Sequence, residues 1–198
     1  MNKHRTVIAN ISLSLDGRTS GPGGEYDMGW IVPHAITDAS RNHMIEVTSP
    51  ATTVLLGRKN YQGFGYYWPS VADNAEADRR DRAFSKWLNA VEKIAFSSTV
   101  KEETWANSRI VNDDPAKVVE ELQQHKGGDI IILASSSVIK RLLAADALDS
   151  LSITLCPEIA GGGAHLFDDG LPPSSWKLRQ SKVTESGAVC LVYDRIRK

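Results

Sequence analysis

Apolar residues follow two alternating patterns along the chain. Short runs rich in β-branched residues predict strands, at positions 5–13, 52–56, 93–97, 108–111, 129–133 and 151–155. Between them, apolar residues recur at helical spacing, at positions 36–47, 77–91, 115–126 and from 135 onward. Two last segments, 176–183 and 188–196, flank Ser186-Gly187 and predict a closing antiparallel pair.

Strands that alternate with helices and end in a hairpin predict an α/β fold. We expect a three-layer α/β/α arrangement whose central sheet is mainly parallel and carries a C-terminal antiparallel hairpin. Ile130–Leu133 is apolar at every position, as in the central strand of a parallel sheet. The 198 residues suffice for one compact domain, 1–198. Because Gly and Pro punctuate Gln62–Asn74, we predict a long surface loop there.

The charge of the chain argues against two classes of partner. The net charge is −1, so no global field attracts nucleic acid or an anionic membrane surface. The basic cluster Arg79, Arg80 and Arg82 is interleaved with Asp78 and Asp81, which predicts the solvated face of a helix. No apolar run approaches the roughly 20 residues that cross a bilayer.

The cysteines and the missing motifs narrow the chemistry. Cys156 and Cys190 lie in apolar runs, which predicts buried thiols and a cytoplasmic location. The five histidines are scattered without metal-ligand spacing, so we expect no metal site. There is no P-loop, no G-x-S-x-G turn and no G-x-G-x-x-G after the first strand. A dinucleotide would therefore have to bind at other turns.

Three predicted strands end in turns that suit an anion. Gly57-Arg58 offers close backbone approach and a guanidinium that can hold a phosphate with two hydrogen bonds. Ser97-Ser98-Thr99 offers three hydroxyls. Ala134-Ser135-Ser136-Ser137 leads into a helix whose first N–H groups attract negative charge. Because ligands of open α/β sheets bind at the carboxyl ends of strands, the three turns together predict a phosphate site.

Each turn also has a structural interpretation. Arg58 is consistent with a surface arginine after a strand, and the hydroxyls around Ser97 with an ordinary turn or a helix cap. A plain helix cap needs one serine, so Ser135–Ser137 are as consistent with ligand binding as with capping.

Acidic and aromatic residues are candidates for the substrate side. Asp16, Asp38 and Glu46 are candidate proton donors or substrate anchors, although Asp16 also suits a turn cap and Asp38 a helix cap. Trp30 and the aromatic residues 66–68 are candidates for a wall against a planar ligand, with core packing as the alternative.

Five motifs occur in the order found in one known family. They are Ser14-Leu15-Asp16-Gly17, Thr53–Tyr61, Lys93–Ser98, Leu142–Asp149 and Pro157–Phe167. With them the chain resembles the dihydrofolate-reductase-like proteins related to the C-terminal reductase domain of the bacterial riboflavin-biosynthesis deaminase-reductase. The resemblance runs from about Thr6 to Tyr193.

The resemblance implies a three-layer fold, NADPH as hydride donor, a small-molecule substrate and a homodimer. It places Arg58 and Ser97–Thr99 at the adenosine 2′-phosphate, with Gly57 beside them, and Ala134–Ser137 at the pyrophosphate. A loop containing Gly162 and Gly163 would close near the cofactor, with a flexible strand connector as the alternative.

The first strand is implied to line the nicotinamide pocket. Ile8, Ala9 and Ser12 would face the ring, with Ser12 and Trp30 on the substrate side. Two positions depart from the family pattern. The pyrophosphate turn usually carries one or two glycines, whereas here Ala134 precedes three serines, and Ser150 stands where an acidic residue is usual.

Two hypotheses of different class follow. The first is an NADPH-dependent reductase that transfers a hydride to a small heterocyclic (pterin- or pyrimidine-like) or sugar-linked substrate. The alternative is a non-catalytic nucleotide- or ligand-binding protein that retains the reductase fold, and a flavin-binding α/β protein is a third possibility.

Overall fold

The computed structural model describes residues 4–197 of the chain. Its strands are β1 (Val7–Leu13), β2 (Ala51–Gly57), β3 (Glu92–Phe96), β4 (Ser108–Val111), β5 (Asp129–Leu133), β6 (Ser150–Leu155), β7 (Ser175–Val183) and β8 (Val189–Ile196). Its helices are α1 (Val32–Ala35), α2 (Asp38–Thr48), α3 (Arg58–Val71), α4 (Arg79–Ala90), α5 (Pro115–Gln123) and α6 (Ser136–Ala144), and a 3-10 turn at Gly29–Ile31 precedes α1.

These strands form one sheet in the order β4-β3-β2-β5-β1-β6-β8-β7. The six strands from β4 to β6 are parallel, and β8 runs antiparallel to β6 and to β7. The apolar strand β5 lies between β2 and β1, near the middle of the sheet. Since β3, β2 and β5 are neighbouring parallel strands, the three predicted turns lie side by side at the carboxyl ends of these strands.

Helices cover both faces of the sheet because side chains of successive strand residues point in opposite directions. Ile130 and Ile132 pack with α5 and α6, whereas Ile131 and Leu133 pack on the side of α2, α3 and α4. The predicted three-layer α/β/α fold, with a mainly parallel sheet and a C-terminal antiparallel hairpin, is therefore confirmed.

The prediction of a surface loop over 62–74 is wrong, because most of that segment belongs to α3. Tyr61, Phe64 and Trp68 recur at helical spacing and pack in the core. The Tyr61 hydroxyl also accepts a hydrogen bond from the backbone N–H of Trp105 at 3.2 Å. Tertiary packing thus stabilises a helix whose glycine and proline content disfavours one.

Lys93 is a buried cation at the C-terminal end of α4. Its side chain is fully buried, and its ammonium donates hydrogen bonds to the carbonyl oxygens of Leu88, Asn89 and Val91 at 2.9, 3.1 and 2.8 Å. The ring of Trp105 lies 4.8 Å from the ammonium nitrogen. Burial lowers the pKa of Lys93 to about 8, so the group still carries its charge at neutral pH. That charge satisfies carbonyls that the helix leaves unpaired.

Both cysteines are buried free thiols, as predicted. Burial raises the pKa of Cys156 to about 12, so this thiol stays protonated and unreactive at neutral pH. Among the helices within residues 4–197, none has the length and apolar character needed to span a bilayer.

Candidate functional site

A groove runs along the carboxyl ends of β4, β3, β2 and β5. It consists of a cavity of about 740 Å³ and one of about 500 Å³. The two cavities share Arg58, Phe96 and Ser137, so we treat them as one strand-end groove. The structure brings all three predicted turns into this groove. They contribute Gly57, Arg58, Ser97, Ser98, Thr99, Ala134, Ser135, Ser136 and Ser137.

Two arginines line the groove together with the carboxylates of Asp113 and Asp114. Arg58 follows β2 and is exposed, and its guanidinium has no ion pair or hydrogen bond within residues 4–197. Arg141 lies one helical turn beyond Ser137 on α6, lines the same cavity and likewise has no side-chain partner in the described part of the chain. Both cations are therefore available to an anionic ligand.

The turn after β3 presents hydroxyls to the groove. Ser97 Oγ accepts hydrogen bonds from the backbone N–H groups of Thr99 and Val100 at 3.1 and 2.9 Å, so its main task is to hold the turn. Ser98 and Thr99 are exposed at the cavity. Asp114, across the cavity, accepts from the N–H of Ala116 at 2.8 Å and caps α5.

The serine-rich turn uses its three hydroxyls differently. Ser135 is buried: its hydroxyl donates to the carbonyl of Leu133 at 2.8 Å and accepts from the N–H of Gly57 at 2.9 Å. It therefore joins the ends of β5 and β2 and positions the turn. Ser136 and Ser137 face the groove at the start of α6. A Cβ atom at Gly57 would lie 3.3 Å from Ser137 Oγ, so glycine keeps this approach open.

Ala134 adopts a left-handed backbone conformation, with φ of 50°. An L-residue is strained there, whereas glycine is not. We expect Ala134→Gly to stabilise the fold by about 1 kcal/mol in urea unfolding. The control is Ala145→Gly, at φ of −87°, which is expected to destabilise. Equal effects of the two substitutions would contradict the assigned strain.

The predicted glycine loop packs on a neighbouring loop. A Cβ on Gly163 would lie 2.2 Å from the carbonyl oxygen of Ser20, and one on Gly162 would lie 2.8 Å from Pro22. Both glycines therefore allow close packing of two loops and line neither cavity of the groove. Ala164, the next residue, does line it.

Asp16 ties this loop to the end of β1. Its carboxylate accepts hydrogen bonds from Ser14 Oγ at 2.6 Å and from the backbone N–H groups of Ala160 and Gly161 at 2.9 and 3.0 Å. These bonds lower the pKa of Asp16 to about 2. The carboxylate is thus ionised at neutral pH and serves as a loop anchor.

We expect Asp16→Asn to loosen the glycine loop, because asparagine lacks the charge that strengthens both backbone hydrogen bonds. Hydrogen-exchange protection of the Gly161 amide is expected to fall at neutral pH. In the parent chain the folded pKa lies below the unfolded value of about 3.9, so this stabilisation is present above pH 4 and is lost as pH falls toward 2. The exposed Asp73→Asn serves as control, and unchanged protection in Asp16→Asn would contradict the anchor.

A smaller, more apolar cavity of about 170 Å³ adjoins the groove. The two share Phe64 and Ala134, so the cavity opens where α3 meets the turn after β5. We call it the inner cavity. Its walls are Met44, Phe64, Trp68 and Phe84, and β1 contributes Asn10, Ile11 and Ser12.

A buried chain of hydrogen bonds lies under the inner cavity. His43, 2% exposed, contacts Ser152 Oγ through Nε2 at 2.9 Å, and the Ser152 hydroxyl donates to Asn10 Oδ1 at 2.9 Å. The Ser152 hydroxyl therefore occupies Asn10 Oδ1. The Asn10 NH₂ group donates to Met44 Sδ at 3.6 Å, and Asn10 lines the cavity. Burial lowers the pKa of His43, so its ring is neutral at neutral pH. His43 Nδ1 is buried without a partner in the described structure.

Asp38 binds Arg80, an arginine that lines the inner cavity. Its carboxylate accepts from Arg80 at 2.5 Å, and its side chain is 72% exposed. Thr37, not Asp38, caps α2. The prediction of a solvated basic face is wrong for Arg80, whose side chain is 15% exposed and lines the cavity. The helix presents Arg80 to α2, where Asp38 can pair with it.

The residues implied for the nicotinamide and substrate pockets lie in different parts of the structure. Ser12 lines the inner cavity. Ala9 is 0% exposed, packs in the core and lines none of the three cavities. Trp30 is half-buried with its indole N–H unpaired among residues 4–197, and it lines none of the three cavities. Of the aromatic residues 66–68, Trp68 alone reaches a cavity wall.

Several residues at the site are missing from the sequence predictions. Arg141 could have been found from its spacing, because it follows Ser137 by one helical turn. Asn10 had a weaker signal, as a polar residue in an apolar strand. His43 and Phe84 had none, since an isolated histidine or phenylalanine on a helix most often packs in the core.

Comparison with known proteins places this geometry in a family. The family model for the RibD C-terminal domain matches residues 5–192. The Bacillus subtilis protein YyaP is 27% identical over 191 residues, covering 96% of this chain and 95% of that protein.

Solved structures share the fold. A putative riboflavin biosynthesis protein from Shewanella sp. PV-4 has a TM-score of 0.71 at 18% identity, covering 97% of this chain and 99% of its own. The Thermotoga maritima diaminohydroxyphosphoribosylaminopyrimidine deaminase/5-amino-6-(5-phosphoribosylamino)uracil reductase has a TM-score of 0.65 at 16% identity, covering 98% of this chain and 57% of its own.

Dihydrofolate reductase from Enterococcus faecalis, solved as a complex with NADP(H), has a TM-score of 0.59 at 15% identity, with full coverage of both chains. These likenesses support the fold described above. On the family match over nearly its whole length, the chain belongs to the RibD C-terminal domain family.

Proposed function

We propose that the protein is an NADPH-dependent reductase of a small heterocyclic substrate. The observation that carries the proposal is the junction of two cavities at Phe64 and Ala134. On one side lies a groove with strand-end turns and with arginines that are unpaired among residues 4–197, and on the other an apolar cavity with a few polar groups. That is the arrangement expected of a dinucleotide beside the ring that it reduces.

The groove fits the phosphates of a dinucleotide on two grounds. Arg58 and Arg141 have no side-chain partner among residues 4–197, and Gly57 leaves room at the turn. In this proposal Arg58, with Ser98 and Thr99, holds the adenosine 2′-phosphate. The start of α6, with the Ser136 and Ser137 hydroxyls, holds the pyrophosphate.

Bound NADPH would supply a hydride to the substrate ring. The chain's own residues bind and orient: Phe64, Trp68 and Phe84 pack on a planar ring and exclude water. The Asn10 side chain is oriented by Ser152, which donates to its Oδ1, and its NH₂ group donates a hydrogen bond to a ring oxygen or nitrogen. The ring-facing role of Ser12 fits its place on the cavity wall.

The catalytic roles predicted for Asp16 and Asp38 stay predictions. The contacts of both carboxylates favour other tasks, since Asp16 anchors a loop and Asp38 binds Arg80. The cofactor contacts predicted for Gly162 and Gly163, the Trp30 contact, the homodimer and the cytoplasmic location also stay predictions.

The names of relatives support the proposal. The Thermotoga maritima neighbour is named as a uracil-derivative reductase, and the Enterococcus faecalis neighbour as a dihydrofolate reductase complexed with NADP(H). Both act on nitrogen heterocycles by name, which is the substrate class that the apolar inner cavity suits.

The test is cofactor oxidation with a panel of dihydropterins, aminopyrimidines and quinones. We expect NADPH consumption with at least one nitrogen heterocycle, and a large loss of it in Asn10→Leu with unchanged NADPH affinity. NADPH binding without turnover of any panel member would instead favour the non-catalytic alternative, and a purified protein carrying bound flavin would contradict the proposal.

A further inference from the structure

We propose that the inner cavity selects an uncharged planar heterocycle and rejects a phosphorylated one. This inference rests on the proposed function, because it names the substrate class of the same site. It follows from the two arginines at the cavity wall, Arg41 and Arg80, and from the carboxylates that already occupy them.

Arg41 has little hydrogen-bonding capacity left for a ligand. Its Nε lies 3.0 Å from both carboxylate oxygens of Asp81, and Nη2 donates to Asp81 at 2.9 Å. Nη1 donates to the carbonyl of Ile36 and lies 3.7 Å from Asp78. The side chain is 20% exposed. Because Nε, Nη1 and Nη2 of this guanidinium all have acceptors, it has little capacity left to hold a phosphate with two hydrogen bonds.

Arg80 is occupied in the same way. Its Nε and Nη2 donate to Asp78 at 2.9 and 2.7 Å, and Nη2 also donates to Asp38 at 2.5 Å. Nη1 lies 3.4 Å from the Asp38 carbonyl and from Asn42 Oδ1. Asp78 is itself fixed, because it caps α4 by accepting from the Arg80 N–H at 2.8 Å.

The cluster therefore carries more negative than positive charge. Two guanidinium groups face three carboxylates, those of Asp38, Asp78 and Asp81, which leaves one net negative charge in a cluster that reaches the cavity wall through Arg41, Arg80 and Asp81. His43 adds no compensating charge, because burial lowers its pKa and keeps its ring neutral. A substrate phosphate would meet a like charge at this wall, because the two cations that line the cavity, Arg41 and Arg80, already have carboxylate partners.

The size and the lining of the inner cavity also favour an uncharged planar heterocycle. The cavity of about 170 Å³ lies below the roughly 300–1,000 Å³ of sites for drug-sized ligands, so it suits a small ring system. Aromatic and sulfur-containing walls contact a ring face, and Asn10 offers a neutral donor. Arg58 and Arg141, unpaired in the described part of the chain, lie on the groove, where the proposed cofactor phosphates bind.

The consequence separates this chain from its Thermotoga maritima neighbour, whose name specifies a phosphoribosyl substrate. The two chains share a fold, on which this chain carries the groove and the cavity. The ion-paired arginines of this chain set what enters the cavity, and they favour a free heterocycle or a nucleoside-like compound over its phosphate ester.

The test uses two probe pairs: uridine with uridine monophosphate, and hydroxymethyldihydropterin with its phosphate ester. Calorimetric titrations measure each probe with and without saturating NADPH, and NADPH alone. The variant is Asp38→Asn/Asp81→Asn, which changes the cluster from one net negative to one net positive charge. The control is Asp168→Asn/Asp194→Asn, which removes two charges that pair with Lys140 and Arg179 elsewhere.

We expect the unphosphorylated member of at least one pair to bind the parent chain at least about 10-fold more tightly than its ester. The double variant should reduce that ratio at least about 10-fold, and the control should leave it unchanged. If the double variant does not fold, Asp38→Asn alone, at an exposed side chain, is expected to shift the ratio in the same direction.

An ester that binds the parent chain as tightly as its partner would overturn the inference. So would an unchanged ratio in a folded variant, or failure of both uncharged probes to bind. Absence of NADPH binding is a separate result, because the probe titrations without cofactor measure the selectivity of the cavity whether or not NADPH binds. Such a result would contradict the proposed function. The selectivity of the cavity would still be tested by the titrations with the probe pairs.

Discussion

Replacing Arg58 by alanine is expected to weaken NADPH binding by about 30-fold, or about 2 kcal/mol, and NADH binding by less than about 3-fold. The reason is that Arg58 has no partner in the described chain and lines the groove beside Ser98 and Thr99. A guanidinium that holds a 2′-phosphate through charge-assisted hydrogen bonds affects only the cofactor that carries this phosphate. Dissociation constants from calorimetry measure the difference.

Two further variants sharpen that result. Arg141→Ala is expected to act in the same direction, because Arg141 lines the same cavity. Arg179→Ala removes an exposed arginine of β7 that pairs with Asp194, and it is expected to leave both cofactors unaffected. Equal losses of NADPH and NADH affinity in Arg58→Ala would remove Arg58 from the 2′-phosphate.

Lys93→Met is expected to destabilise the fold by about 3 kcal/mol. Methionine fills a similar volume but removes the ammonium donor from three carbonyls at the end of α4, of which Asn89 keeps a 3.4 Å bond from Asn107 Nδ2. It also removes the cation from the face of Trp105. The free energy of unfolding in urea measures the loss.

The matched control lies on the same helix. Lys86 is exposed on α4, and Lys86→Met is expected to change stability by less than about 0.5 kcal/mol. A comparable loss in both variants would show that the buried hydrogen bonds of Lys93 contribute nothing specific.

The architecture was accessible from sequence because the apolar patterns are local. The run Ile130–Leu133 indicated a central strand, and Asp114-Pro115 indicated a helix start that the structure confirms with a capping hydrogen bond. The three turns were found in the same way, since each directly follows an apolar strand. Their adjacency then followed from the parallel order of β3, β2 and β5.

The rest depends on contacts between distant residues, which a local pattern does not carry. Helix α3 forms because Tyr61 and its apolar neighbours find partners such as Trp105, 44 positions away. Arg80 pairs with Asp38 on α2, 42 positions earlier, in addition to its sequence neighbour Asp78. Ser135 was correctly placed at the turn, yet only the structure shows that its hydroxyl faces Gly57.

The central claim is that the strand-end groove binds NADPH through its adenosine 2′-phosphate. The most direct measurement is calorimetric titration of the parent chain with NADPH, NADH and adenosine 2′,5′-bisphosphate, a fragment that carries the 2′-phosphate. We predict NADPH binding at least about 10-fold tighter than NADH binding, with the fragment competing for the same site. Equal affinity for the two cofactors, no detectable NADPH binding, or a fragment that fails to compete would contradict it.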